Sequence, residues 1–445
     1  MSIDFKIKEF AYPLEILRLR SFLEKSQWFS EERLKSYQIE RLRLILKHAY
    51  TNVPYYKDLF QKLKLTPKDF KTLEDLKKIP PLTRETLRLN FDKLIAKNAK
   101  KFKPILHRTS GSTASPIEFY LDKYSNILEF CYYWRWWSWA GYKLGMPFAE
   151  FSIHHFLGAA NIKNIFDYSF ITKRLILNPS QLSVKSIPEF VEKIKKYKPL
   201  FLKGTPSTLY IFSLLVEKSG YSDISFKAVF TTGEKIISQQ RQAIERVFNC
   251  KVLDSYGHME RTIAISQCPF GSYHINSDYG ILEVEKNDEF VDVEGKTVGE
   301  AIGTSLYNFS MPLIRYKIGD LLEISTDVLR CRCGRCLPLV KDIFGRIQDV
   351  ILTPDGRYLT NIFVIFNLIE GILAYKIYQK SKKELLVKIA KSATAQEKVI
   401  AEKIIGYFKK IIGEDVDIKI EFSPLESFSV QGKYKIVESS IEIKI

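Results

Sequence analysis

The chain has 445 residues, 46% of them hydrophobic and 27% charged, with a formal net charge of +17. That composition excludes collagen-like, low-complexity and mostly disordered classes, and so long a chain can bury an ample core without disulfide staples. No apolar run approaches the ~18 uncharged residues of a membrane span, and the opening MSIDFKIKEF lacks the apolar centre of a signal peptide, so a soluble cytoplasmic protein is expected.

The positive charges are dispersed among acids, as in EKIKKYK and KSKKELLVK, which reads as a solvated lysine-rich surface. An anionic partner (a nucleotide-type substrate, a membrane surface or nucleic acid) stays open on charge alone.

Residues 14–65 read as helices, with apolar side chains at three- and four-residue spacing. Pro80-Pro81 breaks a helix and Thr83 is a candidate N-cap for RETLRLNF. Between 105 and 121 a small, hydroxyl-rich loop separates two apolar segments. In the run Tyr132–Trp139, helical spacing puts Tyr133, Trp137 and Gly141 on one face and Trp136 and Trp139 on another. Aromatics all round a helix fit a buried one, and the wall of an acyl or sugar pocket is the other reading. His154-His155-Phe156, after a strand, is a further pocket candidate.

From about 145 to 350, short apolar strands (PFAEFSI, LFLKG, AVFTTG, KVLDSYG) alternate with helical runs (IPEFVEKIKKY, TPSTLYIFSLLVEK, SQQRQAIERVF). That alternation predicts a mostly parallel, helix-covered sheet, and a β-rich part follows with YGILEVE, IGTSLYN and LLEIS. Beyond 345–350 the pattern becomes β-β-α-β. The expected fold is α/β: a large N-terminal domain with mostly parallel helix-covered sheets and a β-rich subdomain, and a small α+β C-terminal domain. The expected divisions are 1–100 (helical N-terminal part), 101–346 (core) and 347–445 (small domain).

Thr109-Ser110-Gly111-Ser112-Thr113-Ala114-Ser115-Pro116 is the sharpest motif. Converging N–H and hydroxyl dipoles can wrap phosphate oxygens, although an ordinary polar turn has the same composition. It lacks the Gly-Lys-Ser/Thr ending of a Walker loop. Gly233-Glu234 and Asp254-Ser255-Tyr256-Gly257-His258-Met259-Glu260 follow predicted parallel strands, where ligands sit in open α/β sheets. A tyrosine there can stack on a base and Glu260 can hold Mg²⁺, or the carboxylate can simply cap a helix. Asp320, ending Arg315-Tyr316-Lys317-Ile318-Gly319-Asp320, can accept both hydroxyls of a ribose. Of the six cysteines, Cys131, Cys250, Cys268, Cys331, Cys333 and Cys336, three fall in Cys-Arg-Cys-Gly-Arg-Cys, which argues for metal ligation over disulfides.

In this order the motifs resemble the adenylate-forming (acyl-CoA synthetase-like) superfamily, and NVPYYKDLF and IPPLTRETLR resemble its phenylacetate–CoA ligase and CapK-type capsular polysaccharide biosynthesis branch. The resemblance implies that Thr109, Ser110, Gly111, Ser112 and Thr113 hold the β- and γ-phosphates of ATP. Gly233 and Glu234 would border the adenine, Tyr256 with Gly257 would stack on it, and Glu260 would bind Mg²⁺. Thr304 would approach the adenylate, and Asp320 would grip the ribose with Arg346 in support. Lys433, with Lys435 its competitor, would be the lysine of a mobile C-terminal domain that neutralises charge at the α-phosphate. Ala114 and Gln348 depart from the family's usual residues in the phosphate loop and at the hinge near 347–349.

Members of this branch with a structural zinc imply a Zn²⁺ site at Cys268, His274, Cys331 and Cys333, with Cys336 the reserve ligand; cysteines without metal are the plainer reading. His258 could face the acyl pocket or do nothing. The implied activity is ATP-dependent activation of a small-molecule carboxylic acid as an acyl-adenylate, with coenzyme A as acceptor. An amide- or ester-forming ligase or an adenylyltransferase of surface polysaccharide assembly is the alternative, and a non-catalytic nucleotide-binding scaffold is the rival of another class. No nucleic acid and no integral membrane contact is expected.

Overall fold

The computed structural model describes residues 13–108, 117–156, 164–291, 297–324, 331–346, 351–354, 358–359, 365–366, 369–428 and 436–441. The first helices are α1 (Pro13–Ser26), α2 (Glu31–Asn52), α3 (Pro54–Lys62), α4 (Arg84–Leu89) and α5 (Phe91–Leu94). Thr83 caps α4 as expected, its hydroxyl accepting from Thr86 N at 3.0 Å. Strands β1 (Ile105–Arg108) and β2 (Glu118–Leu121) pair antiparallel with Arg108 opposite Glu118.

The central part alternates as predicted. In chain order it runs α6 (Lys123–Ser138), β3 (Phe148–Phe151), α7 (Ile153–Phe156), β4 (Phe166–Ser169), β5 (Arg174–Leu177), α8 (Ile187–Tyr197), β6 (Phe201–Gly204), α9 (Pro206–Lys218), β7 (Ala228–Thr232), α10 (Ser238–Phe248) and β8 (Lys251–Gly257). α8 buries Ile187, Phe190, Val191 and Ile194, the one-face spacing of an amphipathic helix. Thr205 caps α9 and Pro206 opens it, where a missing N–H costs nothing.

The β-rich part follows: β9 (Ala264–Gln267), β10 (Tyr273–Ile275), β11 (Gly280–Val291), β12 (Thr297–Ser305), β13 (Tyr316–Ile324), β14 (Leu339–Arg346), β15 (Ile351–Leu352) and β16 (Tyr358–Leu359). Among the described residues these join one 14-stranded sheet in the order β15-β16-β11-β12-β13-β14-β10-β9-β8-β7-β6-β3-β5-β4. The run β5-β3-β6-β7-β8 is parallel and the turn to antiparallel pairing comes between β8 and β9. A separate four-stranded sheet, β19-β18-β17-β20, is made by β17 (Ile372–Ser381), β18 (Glu384–Lys391), β19 (Asp417–Phe422) and β20 (Val437–Ser439) and packs on α11 (Glu397–Ile412). The β-β-α-β reading stopped at β19; β20 is a three-residue strand too short to carry a period.

The aromatic run forms a buried helix: Tyr132, Tyr133, Trp134, Trp136 and Trp137 of α6 all lie in the core. The face assigned to Gly141 ends sooner, because α6 stops at Ser138 and Gly141 turns the chain at φ +88°. Arg135, on the same helix, is also buried. Its guanidinium pairs with Asp278, which Ser26 also contacts, and donates to Asn276 Oδ1 at 2.6 Å. Asp278→Asn would leave that guanidinium without its counter-charge. We expect a loss of about 3–5 kcal/mol of unfolding free energy, read by denaturant titration.

Candidate active site and metal centre

Two elements close on one another beyond the C-terminal ends of β7 and β8. The hydroxyl of Tyr256, near the end of β8, donates to Asp320 Oδ2 on β13 at 2.5 Å. Glu260, in the segment after β8, is 4% exposed. Its Oε1 accepts from Tyr316 OH at 2.8 Å and its Oε2 meets His258 Nδ1 at 3.0 Å. The N–H of Thr262 points at His258 Nε2 (3.2 Å), and an N–H can only donate, so Nδ1 carries the ring proton and donates to the carboxylate.

Arg84, the first residue of α4, completes the enclosure. Its Nε lies 3.4 Å from Tyr316 OH and its Nη2 3.8 Å from Glu260 Oε1. The backbone delivers it: Leu82 N donates to Arg315 O (2.8 Å) and Lys317 N donates to Leu82 O (3.0 Å), stitching the Pro-Pro segment onto the start of β13. Burial pushes the Glu260 carboxyl up, but the hydrogen bonds from His258 and Tyr316 and the charge of Arg84 outweigh it and hold the group below the usual carboxylate range. The carboxylate is therefore ionised at any working pH.

The remaining expected residues fall around this pair. Asp320 stands in register with Arg346 at the end of β14. Gly233 follows β7 with φ +89°, and Glu234 beside it accepts from Ser207 N (3.1 Å) at the start of α9. Gly257 ends β8. Thr304 is fully buried and its hydroxyl accepts from Arg315 N at 2.9 Å, so in the described geometry it braces the backbone next to Tyr316. Thr109–Pro116, Gln348, Lys433 and Lys435 lie outside the described residues. His155 pairs with Asp167 of β4 at 2.7 Å and Phe156 is buried, so neither of them joins the residues around Glu260.

Sequence reasoning missed Arg84, Tyr316 and Lys235. Tyr316 sat inside a quoted motif, and alternation along β13 would have put it on the same face as Asp320. Arg84 lies far away in sequence and gave no signal beyond its place after a helix cap. Lys235 lies 3.4 Å from Asp342 and 5.5 Å from the Phe344 ring centre, and burial pushes its ammonium down to about 8.

A second cluster brings together Cys268, His274, Cys331 and Cys333, whose ligand atoms all lie within 4.8 Å of one another. Cys268 Sγ is 3.5 Å from Cys331 Sγ, and Cys333 Sγ is 3.3 Å from His274 Nε2. A tetrahedral zinc with its usual bond lengths separates its donors by about 3.5–3.8 Å, so the set fits that ion. His274 turns Nδ1 to Leu337 O at 3.4 Å, leaving Nε2 for a metal, and burial pushes the imidazole down to about 4, which keeps it neutral. Cys336 is not in the cluster.

In fold the chain is similar to a solved coenzyme A ligase. It superposes on a crystal structure of 2-hydroxyisobutyryl-CoA ligase in the postadenylation state with R3-HIB-AMP at a TM-score of 0.71, with 17% identity and 93% and 91% of the two chains covered. By sequence it is similar to the branch named above. It is 24% identical to the protein CapK of Staphylococcus aureus over 415 residues, 91% of this chain and 89% of that one. It is 25% identical to the phenylacetate-coenzyme A ligase of Pseudomonas putida over 346 residues, 75% of each chain. No protein-family model matches the chain.

Close packing holds the geometry around Glu260. A Cβ on Gly303 would stand 1.8 Å from Thr262 Oγ1, the hydroxyl that meets His258 Nε2 at 2.9 Å. Gly303→Ala must push Thr262 away and disturb His258. A loss of about 1–3 kcal/mol is expected in chemical denaturation. An unchanged midpoint would mean that the strand yields freely.

Proposed function

We propose that the chain is an ATP-dependent carboxylic-acid activating ligase that forms an acyl-adenylate and passes the acyl group to coenzyme A. The observation that carries this reading is that β13 sets Asp320 against Tyr256 of β8 and, four residues earlier, Tyr316 against the buried, ionised Glu260. It is supported by likeness to ligases of that activity over most of the chain.

The chemistry needs little proton transfer. A carboxylate oxygen of the substrate bonds to the α-phosphorus of ATP and pyrophosphate leaves. A thiol sulfur then bonds to the acyl carbon of the mixed anhydride and AMP leaves. Charge neutralisation is the main demand. Glu260 would hold Mg²⁺, which supplies positive charge to the phosphates when bound. Asp320 and Arg346 would hold the ribose, Tyr256 and Gly257 the base beside Gly233 and Glu234, and Thr109–Thr113 the phosphates. Thr304 would brace the strand nearest the adenylate, and Lys433 would come from residues 347–445, acting as a small mobile domain.

Arg84 adds a fixed cation 3.8 Å from the Glu260 carboxylate and would share the phosphate charge. Arg84→Ala should lower pyrophosphate exchange by about 10–100-fold, with Arg84→Lys recovering part of it. Equal activity of Arg84→Ala and parent would remove Arg84 from the site.

Pyrophosphate exchange across a panel of carboxylic acids tests the first step. Exchange with at least one acid is expected, and silence across a broad panel would favour the scaffold. Release of AMP that depends on coenzyme A tests the acceptor. Lys433→Ala should suppress adenylation far more than thioester formation from supplied adenylate; equal loss of both would contradict its role.

Cys268, His274, Cys331 and Cys333 would hold a structural Zn²⁺ that ties the β9–β10 hairpin to the segment before β14. Metal analysis of purified protein should give about one zinc per chain, with a lower unfolding midpoint after chelation. Protein without zinc and with an unchanged midpoint would contradict the site.

A further inference from the structure

The edge of the parallel sheet opposite Glu260 carries its own pattern. At the N-terminal ends of β5, β3, β6, β7 and β8, a lysine precedes or opens each strand: Lys173, Lys143, Lys198, Lys227 and Lys251 respectively. All five are exposed. Backbone hydrogen bonds bind these connections side by side: Phe148 N to Lys173 O (3.1 Å), Leu200 N to Pro147 O (3.0 Å) and Lys227 N to Leu200 O (2.8 Å). With strands about 4.8 Å apart, the lysines form a row of roughly 20 Å.

Acids at this edge are few and matched. The connections 139–147, 170–173, 198–200, 219–227 and 249–250 contain one, Asp223, which pairs with Lys195 at 2.6 Å. On the helix ends at this level, Glu217 pairs with Arg246 (2.9 Å), Glu192 with Lys193 (2.8 Å) and Glu245 with Arg241 (3.7 Å). The lysine row is a net cationic surface.

Apolar side chains stand out from the same edge. Phe170 and Ile171, in the turn between β4 and β5, are 81% and 80% exposed, the most exposed large apolar side chains among the described residues. Leu144, in the connection before β3, is 52% exposed. The turn is braced: Tyr168 stacks on Tyr197 of α8 with ring centres 3.8 Å apart and meets Phe170 edge-on at 5.0 Å.

We propose that this edge docks on an anionic lipid bilayer, with Phe170, Ile171 and Leu144 entering the headgroup–acyl boundary and the lysine row facing the headgroups. Lipid uses both halves of the pattern: apolar burial and attraction to negative headgroups each contribute, at about fivefold in affinity per lysine near the surface. A nucleic acid would use the lysines and leave Phe170 and Ile171 in water. A second copy meeting this edge through a two-fold axis would set lysine row against lysine row. Docking by this edge leaves the opposite edge, with Glu260 and Asp320, open to solution. The proposal does not depend on the reaction proposed above.

Flotation of the full chain with vesicles tests it. The parent should float with phosphatidylcholine vesicles that contain phosphatidylglycerol, remain behind with phosphatidylcholine alone, and be released by high salt. The double variant Phe170→Ser/Ile171→Ser should lose at least tenfold in apparent affinity, and Lys173→Glu/Lys198→Glu likewise, with unfolding midpoints at the parent value. The proposal is overturned by no flotation with anionic vesicles, by equal flotation of parent and the Phe170/Ile171 variant, or by a parent dimer in light scattering that this variant splits, which gives the surface to a second copy. Binding to double-stranded DNA that matches vesicle binding and ignores the Phe170/Ile171 change would overturn it in favour of a polyanion.

Discussion

A carboxylate cannot be removed from water without compensation, and Glu260 is removed almost completely. Three groups supply the compensation, and each comes from a different part of the chain. His258 is local, Tyr316 comes from β13, and Arg84 comes from the N-terminal helical part. The demand of one buried charge thus holds three segments in register. The same Tyr316 stands four residues before Asp320, so fixing Glu260 also fixes the carboxylate that Tyr256 contacts. Electrostatics and position are one constraint here.

The sheet turns that constraint into polarity at the scale of the molecule. Because β5, β3, β6, β7 and β8 run parallel, their carboxyl ends gather at one edge and their amino ends at the other. Small residues and carboxylates collect at the first edge, lysines and exposed apolar side chains at the second. The antiparallel half, joined through β9, curls so that Asp320 of β13 reaches Tyr256 of β8 although three strands separate them in the sheet. The Cys/His cluster lies at that junction, since His274 sits on β10 and Cys268 follows β9.

Much of this was legible in the sequence. The spans of α8 and α10 could be read residue for residue, because their apolar spacing and turn residues agree. β6, β7 and β8 were legible as short apolar runs ending in small residues. β10 and β20 were not, since three residues hold no period. Glu260, Tyr256 and Asp320 could be named because they stand in motifs at strand ends. Arg84 could not, because its partner lies 176 positions away (260 − 84) and only the backbone pairing of Leu82 with β13 brings it in. Arg135 and Asp278 were hidden for the same reason: a long-range buried pair leaves no local trace. Gly141 was placed on a helical face by extrapolating a period past the turn that ends it.

The proposed activity requires a single nucleotide held by both Glu260 and Asp320. A crystal structure of the chain with a non-hydrolysable ATP analogue and Mg²⁺ tests this most directly. The account predicts ribose hydroxyls on Asp320, a Mg²⁺ on Glu260 and phosphate oxygens within reach of Arg84. A nucleotide bound elsewhere, with the Glu260–Tyr316–Arg84 enclosure unaltered, would contradict it.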